Sequence, residues 1–120
     1  IRHQGAETTL ADDTAIITGA FIKTQILKMT PGDARSKATD TAANLVSALS
    51  LTSNGDSVDF SIINLSTTTD HILTVTAGTG VTLVGAMTFD LHVAGEDTSG
   101  SSMLRLRRVG ATAVTIYRLT

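Results

Sequence analysis

Between Gly55 and Ile62 the apolar residues Val58, Phe60 and Ile62 alternate with Asp59 and Ser61, the two-residue period of a strand with one buried face. The stretches 71–76 and 81–84 are rich in β-branched residues, which suit a pleated, half-buried surface. Ala77-Gly78-Thr79-Gly80 lies between them, and a four-residue connection with glycine predicts a hairpin. Met103-Leu104-Arg105-Leu106-Arg107 and Ala113-Val114-Thr115-Ile116-Tyr117 flank Gly110-Ala111-Thr112 and predict a second one. Val58, Phe60, Ile62, Leu104, Leu106, Val114 and Ile116 are the expected core.

Earlier in the chain, residues 21–29 mix apolar and polar positions at strand length, and Pro31-Gly32 closes them. One segment has helical spacing: Ala42, Leu45, Val46 and Leu49 fall at i, i+3, i+4 and i+7, with Thr39 or Asp40 as the expected N-cap. Residues 1–14 are polar and unpatterned, which predicts an extended arm or a loose terminus. Leu10, Ile16 and Ile17 are its apolar anchors, and it is expected to order against a neighbouring chain. The division that follows is an arm and lead-in over 1–25 and a β-rich module over 26–120.

The length of 120 residues fits one domain with one sizeable core. Hydrophobic residues make up 42% of the chain and aromatic ones only 3%, with no Trp, so the core is aliphatic and a sugar-stacking platform is disfavoured. A net charge of −2 gives no electrostatic reason to expect nucleic acid as partner. There is no Cys, which removes disulfides, thiolate catalysis and Cys-ligated zinc. No apolar run reaches the ~20 residues of a membrane helix, and no signal-type segment opens the chain. The expectation is a soluble protein without a membrane partner, and the opening Ile1 leaves room for residues upstream.

The chemical inventory is short. His3, His71 and His92 have no ligand or triad spacing around them. Asn54, Asp56, Asp59 and Asp70 could gather oxygen ligands, but the calcium-loop pattern is absent and turn roles explain them. Gly78-Thr79-Gly80 lacks the Gly-Lys-Ser/Thr ending of a phosphate loop. No catalytic, metal or cofactor site is expected, and the chain reads as a non-enzyme. Arg105, Arg107 and Arg108, joined by Arg118, are the notable cationic group. Arg105 and Arg107 share one strand face while Leu104 and Leu106 share the other. A solvated sheet face, a protein contact and a nucleic-acid contact are the three readings, and Arg favours the second over the third in a chain of this charge.

The succession Gly55-Asp56-Ser57-Val58-Asp59-Phe60-Ser61-Ile62-Ile63-Asn64, Thr76-Ala77-Gly78-Thr79-Gly80-Val81-Thr82-Leu83-Val84-Gly85 and Ser99-Gly100-Ser101-Ser102-Met103-Leu104-Arg105-Leu106-Arg107, closing on Ala113-Val114-Thr115-Ile116-Tyr117-Arg118-Leu119, resembles a module of tailed-bacteriophage and large DNA virus virion proteins. It is similar to capsid decoration (cement) and fibre components over roughly residues 26–119. The resemblance implies a virion structural protein on the capsid surface, bound to the major capsid protein as a homotrimer, with no catalytic residues. A head-fibre or tail-fibre domain and, in another class, a carbohydrate-binding module are the alternatives. The expected fold is mainly β, an antiparallel sandwich or jelly-roll-like barrel with one short helix and an extended N-terminal arm.

Overall fold

The computed structural model describes residues 6–68, 71–89 and 101–119. The elements are β1 (Thr8–Thr9), α1 (Gly19–Ile22), β2 (Ile26–Met29), β3 (Arg35–Ala38), α2 (Ala42–Ala48), β4 (Ser57–Asn64), β5 (Leu73–Thr76), β6 (Val81–Val84), β7 (Thr88–Phe89), β8 (Ser101–Gly110) and β9 (Ala113–Arg118). They form a six-stranded sheet, β1-β2-β4-β8-β9-β6, and a three-stranded sheet, β3-β5-β7. Side chains from both sheets share one core, so the fold is mainly β and sandwich-like.

The alternation read from the sequence settles the centre of the large sheet. Phe60, Ile62, Leu104, Leu106, Val114 and Ile116 are buried, and Val58 packs half-buried against them. β8 and β9 make the expected antiparallel hairpin, with Leu106 opposite Ile116. β8 also runs antiparallel to β4, with Phe60 opposite Leu104.

Strand direction departs from the antiparallel expectation. The pairs β1–β2, β2–β4, β3–β5 and β6–β9 are parallel. Period-two alternation is the same for either direction, and a parallel partner needs a long crossover. The chain supplies one between β2 and β4, where β3 and α2 intervene. Residues 77–80 correct a second expectation, since β5 lies in the small sheet and β6 in the large one. The connection is a corner between sheets. A Cβ at Gly78 would stand 2.5 Å from the carbonyl oxygens of Thr39 and Asp40. Gly80 has φ +81 and faces the Thr112 carbonyl, a conformation and an approach that only glycine tolerates. The two glycines thus serve backbone contact across the corner.

Among the described residues there are two helices where one was expected. α1 begins at Thr18, whose hydroxyl accepts from the Phe21 N–H at 3.4 Å, so Phe21 and Ile22 are helical and the strand starts only at Ile26. Gln25, at φ +67, makes the break. In α2, Ala42 and Leu45 are buried and Val46 and Leu49 pack against the core, as the spacing predicts. Its N-cap is Thr41, accepting from the Asn44 N–H at 3.3 Å. Asp40 instead supports the cap from one residue outside, its Oδ1 accepting from the Thr41 N–H at 2.8 Å and from Asn44 Nδ2 at 3.0 Å. Thr39 is buried and accepts from the Gly78 N–H at 2.9 Å, which ties the corner down.

The N-terminal segment belongs to this core. Thr8–Thr9 pairs with β2, and Leu10 and Ile17 are 4% and 1% exposed. Apolar side chains close to a core gain more by entering it than by waiting for another chain, since burying a Leu or Ile side chain is worth about 1.5–3 kcal/mol. Polar clasps complete the attachment. Asp12 accepts from Arg35 Nε at 2.8 Å and from the Gly32 N–H at 3.0 Å. Lys37, almost fully buried, donates to Asp13 Oδ1 at 3.0 Å and to the Ala15 carbonyl at 3.2 Å.

Candidate functional site

The outer face of the six-stranded sheet follows from the register. Each strand that buries its even or odd positions must present the others. Ser57, Arg107, Thr115 and Thr82 form one row across four strands, and Asp59, Arg105, Tyr117 and Val84 form the next. Ser61 lies opposite Met103, and the Leu119 N–H reaches the Met103 carbonyl at 2.8 Å. The face therefore grades from polar to apolar along the strands. Met103, Leu119 and Val84 are 41%, 45% and 45% exposed.

Of the four arginines expected at a protein contact, the structure brings two to this face. Arg105 forks onto Asp59, with Nε to Oδ1 at 2.7 Å and Nη2 to Oδ2 at 3.0 Å. The carboxylate raises the arginine's pKa further. Both partners are partly solvated, so the pair adds little to stability, and its two bonds fix the position of the guanidinium. Arg107 is exposed and pairs with no carboxylate among the described residues.

Arg108 and Arg118 depart from the expected cationic face, because both stand at inward positions of the alternation. Arg108 is half-buried and donates from Nη1 to the Leu51 carbonyl at 2.9 Å, fastening the loop before β4. Asp56 shapes that loop by accepting from the Thr52 and Ser53 N–H groups at 3.0 Å each. These bonds, that from Ser53 foremost, hold its carboxyl below the usual range. Arg118 donates from Nη1 to the carbonyls of Ala86 and Thr88 at 2.8 and 2.9 Å, with its guanidinium 5.0 Å from the centre of the Phe89 ring. It fastens one sheet to the other. Leu10 and Ile17 are likewise corrected from contact anchors to core residues, while Ile16 is 44% exposed.

Residues missed by sequence reasoning complete the picture. Tyr117, Leu119 and Val84 join Met103 and the arginines on the outer face through register, which single-strand alternation does not reveal. Asn64 is fully buried and bridges the sheets: Nδ2 donates to the carbonyls of His71 and Phe89 at 2.9 and 2.8 Å, and Oδ1 accepts from the Ser66 N–H at 2.8 Å. His71 has Nδ1 at 3.0 Å from the Pro31 carbonyl. His3, His92 and Asp70 lie outside the described residues. An open depression of about 340 Å³ beside the start of β4 is lined by Gln25, Ser57, Val58 and Asp59, and both carboxylate oxygens of Asp59 accept from Arg105. Among the described residues no three His, Cys, Asp or Glu side chains are grouped to hold a metal, and no helix is long and apolar enough to cross a membrane.

Comparison with family models, with curated proteins and with solved structures gives no match for this chain.

Proposed function

We propose that this chain is a structural component of a virus particle, a capsid decoration module that docks on the assembled shell. The observation that carries the reading is the outer face of the large sheet, where exposed Leu119, Val84 and Arg107 join Tyr117 and the Arg105–Asp59 pair. Arg, Tyr and Met are among the residue types enriched in protein interfaces. The strand-and-turn succession that resembles virion modules supports the same reading, and the chemistry at the site is that of contact. The partner is the major capsid protein, and the chain sits on the capsid surface. Binding the shell and not the free subunit stabilises the shell by mass action. Neither nucleic acid nor membrane enters this role.

Purified protein incubated with empty assembled shells, and separately with unassembled major capsid protein, tests this on sedimentation. Saturable co-sedimentation with shells alone is expected. Absence of binding to shells, or labelling of tails or head fibres in particle images, would overturn the decoration role in favour of a fibre domain.

A further inference from the structure

We propose that two copies of this chain pair edge to edge through β6, antiparallel about a twofold axis, to continue the six-stranded sheet from one copy into the next. The proposal stands apart from the virion reading and rests on how the sheet edges are finished. An unpaired edge strand is a template for another strand unless it is shortened, charged or covered.

The other edges are closed. β1 is two residues long. The outer edge of β3 is taken at Ala38, whose carbonyl accepts from the Ile17 N–H at 2.9 Å, and the Asp12–Arg35 and Asp13–Lys37 pairs tie charged chain alongside it. The outward carbonyls of β7, those of Ala86 and Thr88, are both held by Arg118. Among the described residues β6 has none of these devices. Residues 77–85 carry no charge and no proline, and among the described residues β6 pairs with β9 alone.

The register states what this edge offers. The Val114 N–H bonds the Gly80 carbonyl at 3.2 Å, so in a parallel ladder Thr82 and Val84 also turn their backbone groups toward β9. Leu83 turns its N–H and carbonyl away, as does the Val81 carbonyl. A twofold axis at Leu83 lets each copy's Leu83 N–H meet the other's Leu83 carbonyl. The Val81 carbonyl then faces the chain just beyond Val84 in the partner copy. Leu83 is half-buried, and the pairing completes its burial.

Charge permits the self-pairing to which elimination points. On the outer face the residues nearest the edge are Thr82, Val84, Thr115 and Tyr117, all uncharged. Arg105 and Arg107 stand on β8, two strands in. In the paired sheet they lie five strand spacings from their counterparts, roughly 24 Å, well beyond the Debye length of about 8–10 Å. The cationic face therefore imposes no repulsion on the pair.

Sedimentation velocity of the full chain from about 1 to 500 µM, with hydrogen exchange at both ends of that range, tests the proposal. The mass should rise from one chain toward two, and the Leu83 amide should slow with concentration while the Thr82 amide, bonded within the chain, does not change. Val84→Lys and Thr82→Lys, at exposed positions, should keep the melting temperature and weaken association by tenfold or more. A single-chain mass throughout would overturn it. So would a trimer or any larger species that survives Val84→Lys, or a Leu83 exchange rate indifferent to concentration.

Discussion

The centre of the large sheet and the small sheet with its flanking segments are held together by different means. In β4, β8 and β9 the fold is fixed by apolar faces that interdigitate, while the charged Asp59, Arg105 and Arg107 look outward. Around β3, β5 and β7, buried Leu73, Val75 and Phe89 join the same core, and single polar side chains add attachments of fixed geometry: Asn64 joins the end of β4 to β7, Arg118 joins β9 to β7, and Lys37 holds residues 13–15. The difference shows that non-directional burial draws both sheets into one core, whereas hydrogen bonds with fixed geometry set how the second sheet sits against the first. It also shows why the outer face of the large sheet is available for contact, since no fastener passes over it among the described residues.

The comparison breaks first at Phe60, which is 3% exposed. Phe60→Ala should destabilise the whole domain by about 3–5 kcal/mol, read by denaturant unfolding with all probes moving together. A loss below about 1 kcal/mol would remove Phe60 from the centre of the core.

Asn64→Leu should cost somewhat less, about 2–3 kcal/mol, because it leaves buried backbone partners unsatisfied. Its effect should be local. Hydrogen exchange should quicken in β5 and β7 well before it changes in β8 and β9, and uniform acceleration across both sheets would erase the distinction between the two regions.

The clasps sharpen the comparison at low pH. Hydrogen bonds from Arg35 and then the Gly32 N–H lower the pKa of Asp12, and those from the Ala15 N–H and then Lys37 lower that of Asp13. Carboxyls depressed in the folded state contribute stability above their ordinary value of 3.8 and lose it as pH falls through the depressed one. Unfolding free energy should therefore fall below about pH 4, and Asp13→Asn should flatten part of that slope. An unchanged slope in the variant would mean that the clasp is not formed in solution.

How much was legible in the sequence follows the same division. Alternation exposes burial, so Phe60, Leu104 and Ile116 and the β8–β9 hairpin were readable, as was the apolar face of α2. Alternation carries no strand direction and no sheet membership. The parallel pairs and the Gly78–Gly80 corner therefore had no local signature. Parity already sets Arg118, in phase with Val114 and Ile116, apart from Arg105, but the Ala86 and Thr88 carbonyls it reaches lie on another sheet and had no local signature. At the contact face the arginines were visible in sequence, but their apolar neighbours Leu119 and Val84 come from other strands and needed the register.

The central claim is that this face makes the contact. Its most direct measurement is the occupancy of assembled shells by Leu119→Glu and Arg107→Glu variants, alone and together, with melting temperatures taken alongside. Both side chains are exposed, so the fold should hold while occupancy at fixed concentration falls by at least tenfold for the pair. Occupancy equal to that of the unaltered protein, with the fold intact, would contradict the account.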